Sequence, residues 1–328
     1  MCLILPPRGH APGFPPQSAV AAAILALGGL LAWLSAYRPT LLPSLGPWDF
    51  SWSEYLAFAL SLLWWKRGLT QIPRAERPPL WRRAVFLLGM AALWAVLQTH
   101  FDYMAQHMFF LNRTQHVVMH HLGPFLVALG WPGPAVARGM PEALRRWAKN
   151  RAVRAALGVV QHPLPALVLF VGLFYFWLIP PIHFRAMLDA RLYLIMNWSM
   201  VVDGLLFWAL VLDPRPKPPA RLSFGGRAAL SFAVMFPQIL LGSVITFART
   251  DLYPFYDLCG RLYPSVSALE DQHIGGIISW IPPAMMSVAG VLVVLNALRL
   301  DEDRRAASRP EDAGTARMAA LAERWTGR

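Results

Sequence analysis

The sequence has few charged residues and few cysteines. Only 15% of its 328 residues are Asp, Glu, Lys or Arg, whereas 56% are hydrophobic. This balance excludes an ordinary soluble domain and is typical of a protein with several membrane spans. The two cysteines, Cys2 and Cys259, are predicted to lie on opposite sides of the membrane, and no C-x-x-C motif is present. We therefore expect no disulfide and no thiol chemistry.

The sequence contains several long apolar segments. Hydropathy and length predict eight membrane spans, at residues 18–37, 50–66, 84–99, 105–130, 155–178, 192–212, 228–249 and 274–298. The first segment carries "LAWLSAY", which offers a small-residue cleavage site for a signal peptide. Its apolar run of about 20 residues is long for such a signal, so we interpret it as an uncleaved anchor helix.

Acidic residues are scarce as well, with 18 against 30 basic residues and a formal net charge of +12. Such a charge can indicate nucleic-acid binding, but here the basic residues are concentrated in alternate loops, at 66–83, 138–154 and 215–227 and after 298. The positive-inside rule places these loops and both termini in the cytoplasm of a bacterial cell. The distribution of basic residues among the loops therefore indicates how the chain is oriented in the lipid membrane. We expect no nucleic-acid partner.

The predicted fold class is an all-α polytopic membrane protein. Residues 1–47 form a Pro-rich segment and the anchor helix, 48–298 a seven-helix membrane domain, and 299–328 a charged cytoplasmic tail. No internal repeat is visible, which argues against a transporter with duplicated halves. No further catalytic domain is visible either, so the functional chemistry is expected among the spans.

The fourth predicted span is the most polar. It contains "TQHVVMHHLGPFLVALGWP", residues 114–132, with three histidines within six residues. Ionisable groups inside a membrane span are expensive and mark function by default. At 100° per residue, Asn112, His116 and His120 lie on one stripe, and His100, His107, Thr114 and His121 on a second. Pro124 removes a backbone hydrogen bond and frees a carbonyl near His120.

Three explanations fit these histidines. A membrane di-iron enzyme needs several histidine boxes, and the nine histidines of this chain include no second paired box, so we predict no enzyme. Imidazole suits copper, and a methionine thioether suits Cu(I). Bis-histidine haem would use His116 or His120 with His162. Hydrogen bonding between helices is the structural alternative for the histidines, as gap filling is for the methionines.

A second group of polar residues is predicted at the extracytoplasmic ends of the spans. "ALEDQHIGGIISWIPP" places Asp271 and His273 where the last span begins, at the level of Asp102 and His107. Acidic residues at a helix N-terminus are also favoured by the helix dipole alone. Together these side chains could receive a cation from the periplasmic side.

Four motifs in this chain resemble the CtaG-type cytochrome c oxidase assembly factors. They are "HFD" followed by "TQHVVMHHLGPFLVALGWP", then "QHP", "DGLLFWALVL" and "DQHIGGIISWIP". The resemblance extends from about Trp48 to Leu298, so only the N-terminal span and the tail lie outside it. It departs from the family pattern at Asn112, Leu178 and Asn197, where the family tends to have histidines.

The resemblance implies a non-enzymatic assembly factor for a haem-copper respiratory oxidase in the bacterial inner membrane. It would take Cu(I) from the periplasmic side, with a periplasmic copper chaperone as a candidate donor, and pass it to an oxidase subunit. In this hypothesis His116 is the central ligand, and His120 or Met119 completes a soft site. Asp102, Asp271, His107 and His273 form the entry. The alternatives are a metal-free scaffold and a haem-binding protein that uses His116 or His162.

Overall fold

The computed structural model describes residues 17–307. Residues 1–16, with Cys2 and the Pro-rich segment, and residues 308–328, with most of the predicted tail, lie outside the described part. Between them the chain is helical throughout and contains no strand. In chain order the α-helices are α1 (Gln17–Tyr37), α2 (Trp52–Gln71), α3 (Leu80–Leu97), α4 (His100–Ala105), α5 (Phe109–Val117), α6 (Gly123–Gly130), α7 (Gly133–Gly139), α8 (Glu142–Ala148), α9 (Arg151–Val160), α10 (Pro163–Leu178), α11 (Pro180–Leu188), α12 (Ala190–Val211), α13 (Phe224–Ala233), α14 (Met235–Phe247), α15 (Phe255–Leu258) and α16 (Ala268–Ala307).

Five helical stretches in this part of the chain are long and apolar enough to cross a membrane. They are Ala19–Tyr37, Leu80–Leu97, Ala190–Val211, Phe224–Phe247 and Ala268–Ala306. The pair formed by α9 and α10 is a sixth candidate if it counts as one span. The chain is therefore an all-helical, multi-pass membrane protein. The predicted span at 50–66 corresponds to α2, which also carries the charged residues Glu54, Lys66 and Arg67.

The predicted span at 155–178 is not one straight helix. The helix breaks between Val160 and Pro163, and α9 and α10 meet at an angle of 70°. Pro163 occupies the first turn of α10, where its fixed φ and missing N–H suit a helix start. The preceding α9 is strongly amphipathic, with Arg151 and Arg154 among apolar residues. Residues 155–160 therefore belong to a separate amphipathic helix at an angle to the span.

The predicted span at 105–130 is also divided. It begins only at Phe109, because Gln106–Met108 separates α4 from α5. A π-helix, Val118–Leu122, then joins α5 to α6. The second of the two polar stripes predicted along a single helix is therefore interrupted, since His100 lies before the break and His107 lies within it. The π-helix also changes the helical phase of the residues that follow it.

The helices define two ends of the bundle. At the basic end, α2, α6, α12 and α16 finish, and the arginine-rich segments between α2 and α3 and between α6 and α10 lie there. At the far end lie α4, α11 and α15. Contacts across the chain agree with this division, since Arg221 donates to the carbonyl of Gly158 at the basic end and Tyr253 donates to that of Leu178 at the far end. The last helix continues past the predicted end at 298, to Ala307.

Two features set how tightly the bundle packs. Gly275 of α16 faces α5, and a Cβ there would lie 2.3 Å from a ring carbon of Phe109. A small residue at this position therefore lets α5 and α16 approach closely. The anchor helix α1 is different, because only 6% of its span is buried. Its contacts include the hydroxyl of Tyr55, which donates to the carbonyl of Ile24 at 2.8 Å.

Candidate functional site

The π-helix places the paired histidines in the centre of the bundle. Pro124 has no N–H to give to the carbonyl of His120, so a regular α-helical bond is lost at this point. That carbonyl lies against Gly204 of α12, where a Cβ would be 2.5 Å from the oxygen. Single-turn π segments are frequent at functional sites because they re-aim neighbouring side chains. Here His120 and His121 are both fully buried and point to different helices.

His120 is held by a carboxylate. Its Nε2 lies 3.0 Å from Oδ2 of Asp203 on α12, and its ring stacks on Phe170 with 4.0 Å between the ring centroids. Its Nδ1 is buried and has no hydrogen-bond partner. An imidazole with one nitrogen on a carboxylate and the other free is the arrangement that many metal-binding histidines show.

His116 and His121 also carry buried nitrogens without partners. Both ring nitrogens of His116 lack a hydrogen bond, although the residue is only 1% exposed. Arg113, His183 and His120 are close enough to act on it electrostatically. Nε2 of His121 lies 3.5 Å from Nε2 of Gln238, and its Nδ1 is unpartnered. Buried polar groups are hydrogen-bonded in nearly all proteins, so each of these nitrogens needs an explanation.

Arg113 adds a buried positive charge beside His116. It is 1% exposed and contacts the side-chain oxygen of Asn112. Its guanidinium carbon also lies 5.2 Å from the centre of the Phe109 ring. Both partners are uncharged, and Nε and Nη1 of the arginine have no hydrogen-bond partner. An arginine buried without a carboxylate is costly and is retained only where something compensates it.

A cavity at the far end reaches towards this group. Its volume is about 220 Å³, and its lining residues are Pro180, Pro181, His183, Phe184, Leu252, Tyr253, Pro254 and Phe255. His183 is fully buried, with Nε2 2.9 Å from the hydroxyl of Tyr256 and Nδ1 3.2 Å from the carbonyl of Trp177. Burial, and to a lesser degree Arg113, lower the pKa of His183 to about 3. Its imidazole is therefore neutral at physiological pH.

Two residues of the predicted entry, Asp102 and His107, form hydrogen bonds with different partners. Oδ1 of Asp102 accepts hydrogen bonds from Gln115 at 2.5 Å and from Tyr193 at 2.8 Å. Burial raises the pKa of Asp102 to about 6, although these bonds act in the opposite direction. His107 lies half-buried, with Nδ1 2.9 Å from the carbonyl of Tyr103. Asp102 thus ties α4, α5 and α12 together.

The other two entry residues are used in helix packing. Asp271 is fully buried and accepts from the backbone N–H groups of Phe109 and Phe110 at 2.9 and 2.8 Å, which caps the start of α5. It also pairs with Arg261 at 2.6 Å. Nε2 of His273 lies 3.1 Å from the carbonyl of Ala248. Between residues 17 and 307, no three His, Cys, Asp or Glu side chains converge in a way that could hold a metal ion.

Met119 and His162 lie away from the histidines they were predicted to join. Met119 is fully buried in an apolar cluster with Phe58, Leu93 and Val201. His162 is exposed at the start of α10. It precedes Phe170, the residue that stacks on His120, by eight positions, which is about 12 Å along a helix. The structure does not bring His162 to the buried histidines.

Sequence reasoning missed two residues that lie against the buried histidines, Asp203 and Gln238. Asp203 was not singled out, yet an ionisable residue within "MVVDGLLFW" of a membrane span was a sufficient signal. Gln238 gave a weaker signal of the same kind within α14. We name His116, His120, His121 and His183, with Asp203 and Arg113, the histidine group. Its members come from α5, the π-helix, α11 and α12.

Comparison with known proteins identifies relatives of this chain. Uncharacterized proteins of Mycobacterium bovis and Mycobacterium tuberculosis are each 28% identical over 291 residues, which is 83% of this chain and 42% of theirs. One from Mycobacterium leprae is 26% identical over 269 residues, or 74% of this chain and 38% of that protein. The chain thus spans about two fifths of the length of these relatives. No solved structure matches it.

The family model of the cytochrome c oxidase caa3 assembly factors covers most of the described helices. It matches residues 57–299, from within α2 to the last turns of α16. The match includes the π-helix and every member of the histidine group. It leaves out α1, as the resemblance of the sequence motifs predicted. The chain therefore belongs to the caa3 cytochrome c oxidase assembly factor family, Caa3_CtaG.

Proposed function

We propose that this protein assists the assembly of a caa3-type haem-copper oxidase by receiving Cu(I) in the membrane and passing it to an oxidase subunit. The family supports the assembly role. One observation carries the copper role: four buried imidazole nitrogens, on His116, His120 and His121, have no hydrogen-bond partner. Imidazole is a good ligand for copper, and a ring nitrogen without a hydrogen-bond partner is available to bind it.

The proposed topology has eight spans, with the basic end in the cytoplasm of a bacterial inner membrane. The far end then faces the periplasm, where a soluble copper chaperone is a candidate donor. The arginines at 74–83, 138–154 and 215–227 support this orientation through the positive-inside rule. α2 counts as a span because it runs antiparallel to α3, and α5, the π-helix and α6 together count as another.

The proposed copper route begins in the far-end cavity. His183 lines that cavity and lies near Arg113 and His116. From His183 the ion would pass to His116, and from there to Nδ1 of His120, which Asp203 orients. This route replaces the entry predicted from sequence, because His183 lines the cavity, whereas Asp102 and Asp271 do not and instead hold neighbouring helices together.

The absence of a three-ligand cage in residues 17–307 suits transfer. Cu(I) accepts two ligands, and a two-coordinate ion exchanges with an incoming thiolate or imidazole more easily than a fully enclosed one. Arg113 favours the monovalent ion, because its repulsion of a cation grows with the cation's charge. We therefore propose a site that holds Cu(I) in exchangeable form and disfavours Cu(II).

Copper content after anaerobic loading tests the proposal. Detergent-purified protein is loaded with Cu(I), desalted, and analysed by mass spectrometry. We expect about one copper per chain in the wild type and a loss of most of it in a His116→Ala, His120→Ala, His121→Ala variant. The matched control replaces three accessible histidines, His100, His107 and His162, and keeps the copper. Far-ultraviolet circular dichroism checks that each variant is folded.

Other outcomes would replace the proposal. Equal copper loss in both triple variants would mean adventitious binding. A Soret band that disappears with His116 would indicate haem instead. No metal in any protein, together with normal oxidase assembly by the histidine variant in cells, would leave a metal-free scaffold as the function.

A further inference from the structure

A second cavity lies at the basic end, away from the histidine group. It has a volume of about 420 Å³ and is enclosed by the ends of α6, α9 and α12 and by the segment that follows α12. This volume falls within the range of about 300–1,000 Å³ that is typical of small-molecule pockets. Neither the family nor the copper proposal gives this cavity a role.

The walls of the cavity combine an apolar interior with a cationic rim. Val127, Ala128, Leu205, Ala209 and Leu210 supply the apolar surface, and Arg215, Arg221 and Gln161 supply the polar one. Asp213 also lines the cavity, but it forms an ion pair with Arg215 at 2.7 Å. The rim therefore keeps a net positive charge, from Arg221.

Trp131 forms the boundary between the two surfaces. It caps α6 with a left-handed backbone, φ 52°, which is uncommon for a residue other than glycine. The guanidinium carbon of Arg215 lies 5.1 Å from the centre of its ring. Tryptophan is enriched where the hydrocarbon core meets the lipid headgroups. The cavity thus lies at the depth of the headgroups of the leaflet at the basic end.

The amphipathic helix α9 connects the cavity to the membrane surface. It leaves α10 at 70°, and the carbonyl of its Gly158 accepts a hydrogen bond from Arg221 at 3.2 Å. A basic amphipathic helix at this angle lies in the membrane interface, with its apolar face towards the acyl chains. Arg221 therefore joins the interfacial helix to the cavity rim.

We propose that this cavity binds one anionic phospholipid of the leaflet at the basic end. Arg221 supplies the net positive charge that holds the phosphate, beside the Arg215–Asp213 pair, and the apolar wall of α6 and α12 accepts the start of an acyl chain. Basic pockets between membrane helices at the cytoplasmic side are suited to such headgroups. A free phosphate ion would gain nothing from the apolar wall, which is why a lipid is the occupant that the lining favours.

Lipid retention measured by native mass spectrometry tests this site. The full chain is reconstituted in nanodiscs of phosphatidylcholine with one fifth phosphatidylglycerol, then released in a mild detergent. We expect one phosphatidylglycerol per wild-type chain, and at least a tenfold lower retention for Arg215→Gln, Arg221→Gln. The control variant Arg146→Gln, Lys149→Gln loses the same charge at the C-terminal end of α8 and at the residue that caps it, and is expected to retain the lipid.

A second variant shows whether any loss of lipid comes from the cavity itself and not from misfolding of the arginine variant. Ala209 is exposed and lines the cavity, so Ala209→Phe fills the apolar part and leaves every arginine in place. It is expected to lose the lipid as well. Retention by both cavity variants, or equal loss in the α8 control, would overturn the proposal. Displacement of the lipid by millimolar inorganic phosphate would show that the site is a phosphate site and not a lipid site.

Discussion

Helices α10 and α12 each pass through two chemically different halves of the bundle. On the basic side of Phe170, they bury an apolar cluster that includes Phe207, Trp208 and Val234. On the far side, the interior holds a second apolar cluster, with Phe174, Trp177 and Met200, together with Arg113, four histidines and Asp203. A membrane bundle gains stability from close packing, and the two apolar clusters supply it. Buried nitrogens without hydrogen-bond partners, on Arg113 and three of the histidines, lower stability, so we infer that these side chains are there for function.

The largest effect is expected from a substitution in the apolar cluster on the basic side. Phe170 is fully buried, and its ring centroid lies 3.8 Å from that of Phe207. Phe170→Ala opens a cavity and is expected to lower the free energy of unfolding by about 3–5 kcal/mol. Unfolding in mixed micelles measures this change. Phe176→Ala, at a residue that is 44% exposed, is the control, and an equal loss there would contradict the assignment of stability to the buried cluster.

Stability at the far end should depend on pH through Asp102. Its pKa is raised to about 6 in the folded protein, so the folded state binds this proton more tightly than the unfolded state does. Stability therefore falls as the pH rises from about 4 to about 6. The loss is on the order of 3 kcal/mol, since one pKa unit corresponds to about 1.4 kcal/mol.

Asp102→Asn is expected to remove this dependence. Unfolding midpoints measured between pH 4 and 7 should then change less in the variant than in the wild type. Asp189→Asn is the control, since Asp189 is exposed and asparagine also caps a helix. The same slope in the Asp102 variant would place the pH dependence elsewhere.

The carboxylate behind His120 gives a smaller effect that is specific to copper. Asp203→Asn keeps the shape of the side chain and removes its charge. Replacement of such a partner of a metal-binding histidine costs about 10–100-fold in affinity. Competition with a Cu(I) chelator measures the affinity, and Asp257→Asn at the far end is the control. Unchanged affinity would remove Asp203 from the proposed site.

The smallest effect is expected at His107 and His273. Both hydrogen-bond only to backbone carbonyls, of Tyr103 and Ala248. Alanine at either position should change the free energy of unfolding by about 0.5 kcal/mol or less. Copper affinity should change less than twofold in the same competition assay. A larger loss of affinity would restore the entry that the sequence predicted.

Hydropathy predicted the helical class and the apolar spans, because long stretches such as 190–211 carry a strong local signal. It missed the break before Pro163, since α9 and α10 are both apolar enough to be read as one segment. The proline itself was the available signal. The motif order was sufficient to identify the family, which the match over residues 57–299 confirms.

The site was harder to predict, because its contacts join residues that are far apart in the chain. Nothing in the sequence near His120 identifies Asp203 as its partner, which lies 83 residues later. Asp271 is the opposite case. Its position suggested a cation entry, but its oxygens cap α5 and pair with Arg261. The residue types of a site are visible in a sequence, whereas their partners depend on the packing of the helices.

The π-helix at Val118–Leu122 changes the direction in which side chains point before and after it within one membrane span. It is equivalent to one extra residue in an α-helix, which rotates α5 against α6 by about 100°. Arg113 is thereby presented to Gly275 of α16, while His120 meets α10 and α12. Deleting a single residue from this segment would remove the extra residue of the π-helix. Either Arg113 would then turn away from α16, or His120 would turn away from α10 and α12. The segment thus lets a single helix serve two faces of the interior at once.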